Sequence, residues 1–358
     1  METGPLPTLF SQLGIKCSHI DAASKQARET RAAIEAALSR NLAQWVSLDT
    51  SLVVFGSLAR NEFTRKSDVD WTYLIDGQAN SDHLTISREI SEVLRGAGFK
   101  GPNPQGAFAS MVFSHDLIHQ IGGQEDTNRN MTQRMLLLLE SVAIGERAQE
   151  AYERVMKGVI SRYLEEGSRL LTSDGGRYKV PRFLLNDVAR FWRTMAVDFA
   201  SKQRDRGGTG WGLRNLKLRM SRKLLFASGL LTCFSPCLDP EAKPLESAGS
   251  DELQAHLIQY LRDQFRLSPL EVLGNAIRFC NVPNDAGIRL FESYDEFLGM
   301  LDDDNIRDKL EKLRAENASG DSTFKRVREI SRQFQAALDS IFFENKLIWP
   351  LTKKYGVF

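Results

Sequence analysis

From position 51 the chain runs Ser51-Leu-Val-Val-Phe55 and then meets Gly56. A short apolar run with β-branched residues, closed by glycine, predicts a buried strand. The run Trp71-Thr-Tyr-Leu-Ile75 predicts a second strand. Ahead of the first, residues 21–44 carry the Ala-, Arg- and Glu-rich spacing of a helix, and residues 1–16 read as a loosely held arm. A helix is expected over 81–94, ended by Arg95-Gly-Ala-Gly98, and then a strand region over 106–121 that Gly122-Gly123 closes.

From about Asn128 the period lengthens to that of amphipathic helices. These are expected at 128–145, 147–171, 181–204, 212–231, 250–265, 267–280, 293–301, 303–315 and 323–346. Pro181 suits a first helical turn, and Gly207-Gly208 suits the loop before the next helix. The economical layout is α+β: an arm at 1–20, a small mixed sheet with flanking helices at 21–127, and an all-helical domain at 128–358 that closes a cleft.

Composition narrows the class. The chain has 358 residues, 42% of them hydrophobic, with 47 basic against 46 acidic side chains and a net charge of +1. That length suffices for two ordinary domains. Near-neutral charge makes a dedicated nucleic-acid binder an unexpected reading, although a local basic groove is compatible with it. Cys17, Cys233, Cys237 and Cys280 form no repeated pair, and Cys233-Phe-Ser-Pro-Cys237 has no partner ligands for zinc. With no basic-then-apolar leader and no run of eighteen apolar residues, the expectation is a cytoplasmic protein with reduced thiols and no membrane partner.

The chemistry concentrates between the two strands. Gly56 permits a tight turn. Ser57 follows where backbone N–H groups and a hydroxyl can hold a triphosphate, helped by the start of a short helix through Leu58, Ala59 and Arg60. Asp68 and Asp70 are two residues apart in an extended segment, so their side chains share a face. Two hard oxygen ligands on one face suit Mg²⁺, with Mn²⁺ as a substitute, and such ions bind through carboxylates plus substrate phosphates.

The stretch Phe55-Gly-Ser-Leu-Ala-Arg60-Asn-Glu62 through Ser67-Asp-Val-Asp70 resembles the signature of the DNA polymerase β-like nucleotidyltransferase superfamily. Within it, the wording is similar to PII-protein uridylyltransferases and to the uncharacterised nucleotidyltransferase-like proteins related to them. Gly210-Trp-Gly-Leu-Arg214-Asn-Leu-Lys217 is a weaker echo of the Gly-Gly-Leu-Arg-Asp segment that follows the transferase domain there. The likeness covers about residues 30–230. Those enzymes usually add a His-Asp hydrolase domain and paired sensing domains. This chain, with five histidines and no such motif, departs from them. What the resemblance implies is a stand-alone transferase that moves a nucleoside monophosphate from a nucleoside triphosphate to an unidentified acceptor, a protein among the candidates.

Such sites commonly add a third carboxylate from a later strand. Asp116, in Met111-Val-Phe-Ser-His115-Asp-Leu-Ile-His119, and Asp126, ahead of the apolar Met135-Leu-Leu-Leu-Leu-Glu140, both compete for that role, with a helix N-cap as the alternative for Asp126. Asn186, Arg190 and Arg193 share one helical face, as do Arg214, Lys217 and Ser221. The nucleotide is expected to meet Gly56, Ser57, Arg60, Lys217 and Ser221, and the metal Asp68 and Asp70. Trp211, Trp192 and Tyr178 could stack on a base or serve a core, and His115 with His119 could ligate a metal from a helix face. Two other classes remain open: a catalytically weak nucleotide-binding regulator, and an enzyme that makes a nucleotide messenger.

Overall fold

The computed structural model describes residues 5–102, 108, 110–165, 172, 176–205, 207–244 and 249–356. Helix α1 (Pro5–Leu13) and helix α2 (Ser18–Asn41) come first. Leu9, Phe10 and Leu13 are buried, and the Phe10 ring meets that of Phe291 edge-on at 5.0 Å. The expected loose arm is thus corrected over its described part. Its apolar side chains recur at helical spacing and are covered.

The sheet follows. Strand β1 (Thr50–Phe55) runs into the short helix α3 (Gly56–Ala59), and strand β2 (Asp70–Ile75) returns antiparallel beside β1. Helix α4 (Ser81–Gly96) leads towards strand β3 (Ser110–Phe113), which pairs parallel with β2. The expected strand over 106–121 is shorter. Within its described residues, helix α5 (Ser114–Ile118) takes over at Ser114. Helix α6 (Asn128–Leu139) also stops early, and strand β4 (Ser141–Ala143) joins the other edge of β1. The order is β3-β2-β1-β4, a small mixed sheet.

Helices make up the rest: α7 (Gln149–Glu165), α8 (Arg182–Asp205), and α9 (Trp211–Lys217), whose π turn at Leu218–Arg222 carries it into α10 (Lys223–Leu238). After them come α11 (Ser250–Phe265), α12 (Pro269–Phe279), α13 (Asn284–Asp302), α14 (Asp304–Lys312) and α15 (Ser322–Asp339). The architecture is α+β, as expected.

Two compact units result, and their limits differ from the expected division at 127/128. One comprises Met1–Ala22, Thr172–Glu246 and Pro269–Phe358, the other Ala23–Leu171 and Ser247–Ser268. The second holds the whole sheet together with α5, α6, α7 and α11. Helix α7 packs on β1 and β2, and α11 packs on α7. No helix among the described residues is long and apolar enough to cross a membrane.

Candidate active site

The register fixes which side chains share a face. Phe55 pairs with Asp70 and Val53 with Thr72 across β1 and β2, while Thr72 pairs with Ser110 and Leu74 with Val112 across β2 and β3. Paired residues project to the same side, so Asp70 stands at the end of the face that carries Val53, Phe55, Thr72 and Leu74. That face meets Leu117 of α5 and Leu136 and Leu137 of α6 in an apolar gap. Apolar packing thereby holds the sheet rigid up to the residue where the acid appears.

Asp70 starts β2, and Asp68 lies two residues ahead of it. Val69 between them is 1% exposed, whereas both acids are only half-buried. This alternation is the one expected from extended backbone. Val69 N–H donates to the Lys100 carbonyl at 2.8 Å, which anchors the segment after α4 beside the acids. From there Lys100 Nζ reaches Asp68 Oδ1 at 2.7 Å. A cation already sits against one of the two carboxylates. The chain alone carried no signal for this contact, because the partners are far apart in sequence.

Gly56 has φ +66°, in the left-handed region that glycine adopts without strain. A Cβ built on Gly56 would stand 3.3 Å from Asp70 Oδ2. The glycine therefore leaves room for the Asp70 carboxylate to lie directly against the turn. Gly56, Ser57 and Asp70 are brought together here, and Asp68 lies two residues before β2 begins. The half-buried Ser57 is the second residue of α3.

Other expected site residues are placed differently. Arg60 is 8% exposed, and its guanidinium lies against Glu62 (Nε to Oε2, 2.9 Å) and Glu140 Oε2. It points into the protein, which corrects the expectation of a direct nucleotide contact. Asp126 forms a two-pronged pair with the fully buried Arg134, at 2.9 and 2.8 Å, and Thr127 caps α6 in its place. Desolvation works against the Arg134 charge, but the Asp126 and Tyr163 contacts more than offset it, and its pKa ends above the ordinary value. The N-cap reading of Asp126 is thus corrected, and both oxygens of the carboxylate expected as the third catalytic acid are engaged by Arg134. Asp116 on α5 accepts from Gln120 Nε2 at 3.3 Å. Among the described residues, no three His, Cys, Asp or Glu side chains form a group that could hold a metal ion.

Lys217 and Ser221 belong to the other unit. Lys217 is half-buried at the end of α9, and the buried Ser221 donates its hydroxyl back to the Lys217 carbonyl at 3.2 Å. Of the aromatic candidates, Tyr178 is buried, Trp211 packs on Phe324 and Trp192 stacks on Phe226, so all three have protein neighbours. The exposed His115 and His119 lie ring to ring at 5.2 Å.

The donor set at the turn suits a hard divalent cation. Two half-buried carboxylates two residues apart, one already drawing a cation and the other seated where a side chain on Gly56 would intrude, are oxygen donors of the kind taken by an ion that uses few protein oxygens and completes its shell from phosphate and water.

Comparison with known proteins bears on the same segment. Residues 34–98 match the family model of the nucleotidyltransferase domain, a span that includes β1, the turn, β2 and α4. No curated protein matches the chain.

Proposed function

We propose that this protein is a Mg²⁺-dependent nucleotidyltransferase whose site is the Gly56-Ser57 turn with Asp68 and Asp70. The observation that carries the reading is the seating of Asp70 against a left-handed Gly56, within the segment that matches the nucleotidyltransferase domain. Asp68 and Asp70 hold the ion. When bound, it neutralises phosphate charge and stabilises the leaving pyrophosphate.

The rest is positioning by the chain's own groups. The Ser57 hydroxyl and its backbone N–H orient the β- and γ-phosphates. An acceptor oxygen then attacks the α-phosphorus in line: a P–O bond to the acceptor forms while the bond to pyrophosphate breaks. Most of the rate enhancement is orientation and preorganised charge. Lys100, 2.7 Å from Asp68 Oδ1, would compete with the ion for that carboxylate.

The test is incubation of the purified chain with each α-labelled ribonucleoside triphosphate and Mg²⁺ or Mn²⁺, alone and with cell lysate. Label on a protein, an RNA or a small product names the acceptor class. A D68N/D70N double variant should fold normally and lose transfer, and full transfer by that variant sinks the assignment.

One observation favours a second reading. Asp126 is committed to Arg134, and no three-carboxylate group occurs among the described residues, which fits a nucleotide-binding regulator with weak turnover. Metal-dependent pyrophosphate release at a steady rate decides for the enzyme.

A further inference from the structure

Beneath the Gly56-Ser57 turn lies a buried ion triad that no step above uses. Arg60, Glu62 and Glu140 are 8%, 2% and 6% exposed. Arg60 Nη2 is 2.8 Å from Glu62 Oε2, and Nη1 bonds Glu140 Oε2. Each of the three is also tied to the turn through its backbone. Arg60 N–H donates to Gly56 O at 2.9 Å, Glu62 N–H to Ser57 O at 2.8 Å, and Gly56 N–H to Glu140 O at 3.2 Å. The loop is therefore closed twice, once through main-chain bonds and once through side-chain charge.

A second arginine works from outside the loop. Arg31 of α2 donates to the Leu58 carbonyl and, at 2.9 Å, to Asn61 Oδ1, while Asn61 itself has a left-handed φ of +61°. Two left-handed residues, Gly56 and Asn61, bracket the turn. Non-glycine residues hold such a conformation when their surroundings determine it.

Placing charges out of water is costly unless geometry and additional hydrogen bonds compensate, and a buried triad is weak evidence for stability alone. The cost is met here at one place, the segment whose Ser57 amide and hydroxyl face a polyphosphate in the reading above. We propose that Arg60, Glu62 and Glu140 are positioning residues of the nucleotide site: they lock Gly56 and Ser57 into the phosphate-binding geometry before ligand arrives. Glu140 matters most. It comes from the α6–β4 junction and couples the turn to the edge strand beside β1. The proposal rests on the nucleotide reading, and its test separates the two.

The experiment uses the full chain with Glu140→Gln, Glu140→Ala and Arg60→Lys variants. Amide hydrogen exchange is followed over residues 55–62 without ligand, together with calorimetric titration of Mg²⁺ and a non-hydrolysable nucleoside triphosphate well below the unfolding midpoint. Glu140→Gln keeps an acceptor and removes the charge. It should fold, exchange about tenfold faster over 55–62, and bind nucleotide about tenfold more weakly, with Glu140→Ala further in the same direction. Arg60→Lys retains the charge without the two-pronged fork and should be intermediate. A role in stability alone would lower the midpoint while leaving exchange at the turn and affinity of the folded protein unchanged, and that result overturns the proposal. If Glu140→Ala does not fold, Glu140→Gln and Arg60→Lys carry the test. Failure of the wild type to bind any of the four triphosphate analogues overturns the nucleotide reading and this assignment with it. Normal wild-type binding with unaltered variants overturns the positioning role alone.

Discussion

Asp68 meets a cation before any metal arrives, and this competition is a property of single residues. The Lys100 side chain is 70% exposed and that of Asp68 43%, so the pair is worth at most about 1 kcal/mol. A divalent ion at Asp68 would compete with it at little cost. Lys100→Met should therefore tighten Mg²⁺ or Mn²⁺ binding to the nucleotide-free protein by about two- to fivefold, the range that such a pair sets. Direct metal titration measures this, and an unchanged or weakened affinity rejects Lys100 as the competitor. The half-buried placement of Asp68 and Asp70 either side of buried Val69 was legible in the chain because such alternation is local. Lys100 was not, because its approach depends on the return of the segment after α4. Arg60 was misread for a related reason: a cation beside a phosphate-type turn is ordinarily exposed, and only the fold reveals two carboxylates beneath it.

Among the elements, the segment Gly210-Trp211-Gly212 shows how packing selects residues outside the site. Gly210 is left-handed at φ +71° and opens α9. A Cβ on Gly212 would fall 2.7 Å from the Leu310 carbonyl and 3.1 Å from Leu313 Cβ. Two backbone bonds, Gly210 N–H to Glu311 O at 3.0 Å and Gly212 N–H to Leu313 O at 3.1 Å, hold α9 against the end of α14. Gly212→Ala should destabilise the protein by about 1–3 kcal/mol through overpacking, despite the better helix propensity of alanine. Urea unfolding measures it, and a raised midpoint contradicts the close approach. Periodicity located most of the helices, α11 at its full extent. It missed α1, although Leu6, Leu9, Phe10 and Leu13 recur at helical spacing, and it ran α6 through β4. A three-residue strand has too little pattern of its own and exists because β1 offers an open edge.

At the scale of the molecule, each unit is assembled from separated stretches of chain. Helix α11 completes the sheet unit: Leu257, Ile258, Leu261 and Phe265 are buried, and Arg266 Nη2 reaches Glu153 Oε1 of α7 at 2.6 Å. Leu261→Ala should cost about 2–5 kcal/mol, since Leu261 is fully buried. Because local opening follows cooperative units, exchange should accelerate in α7 and α11 while α13 and α15 keep wild-type protection. Uniform acceleration across all four helices would contradict that division.

The chain by itself determined the two strands and the turn between them, the α+β class and the position of most helices. These rest on side-chain alternation, helical spacing and the freedom of glycine, all interactions between near neighbours. Tertiary structure decided the partners of the charged residues. Arg60 went to Glu62 and Glu140, Asp126 to Arg134, Asp68 to Lys100, and the first helix was covered. The worth of a charge or an apolar face depends on what removes it from water, and that covering comes from parts of the chain far away in sequence.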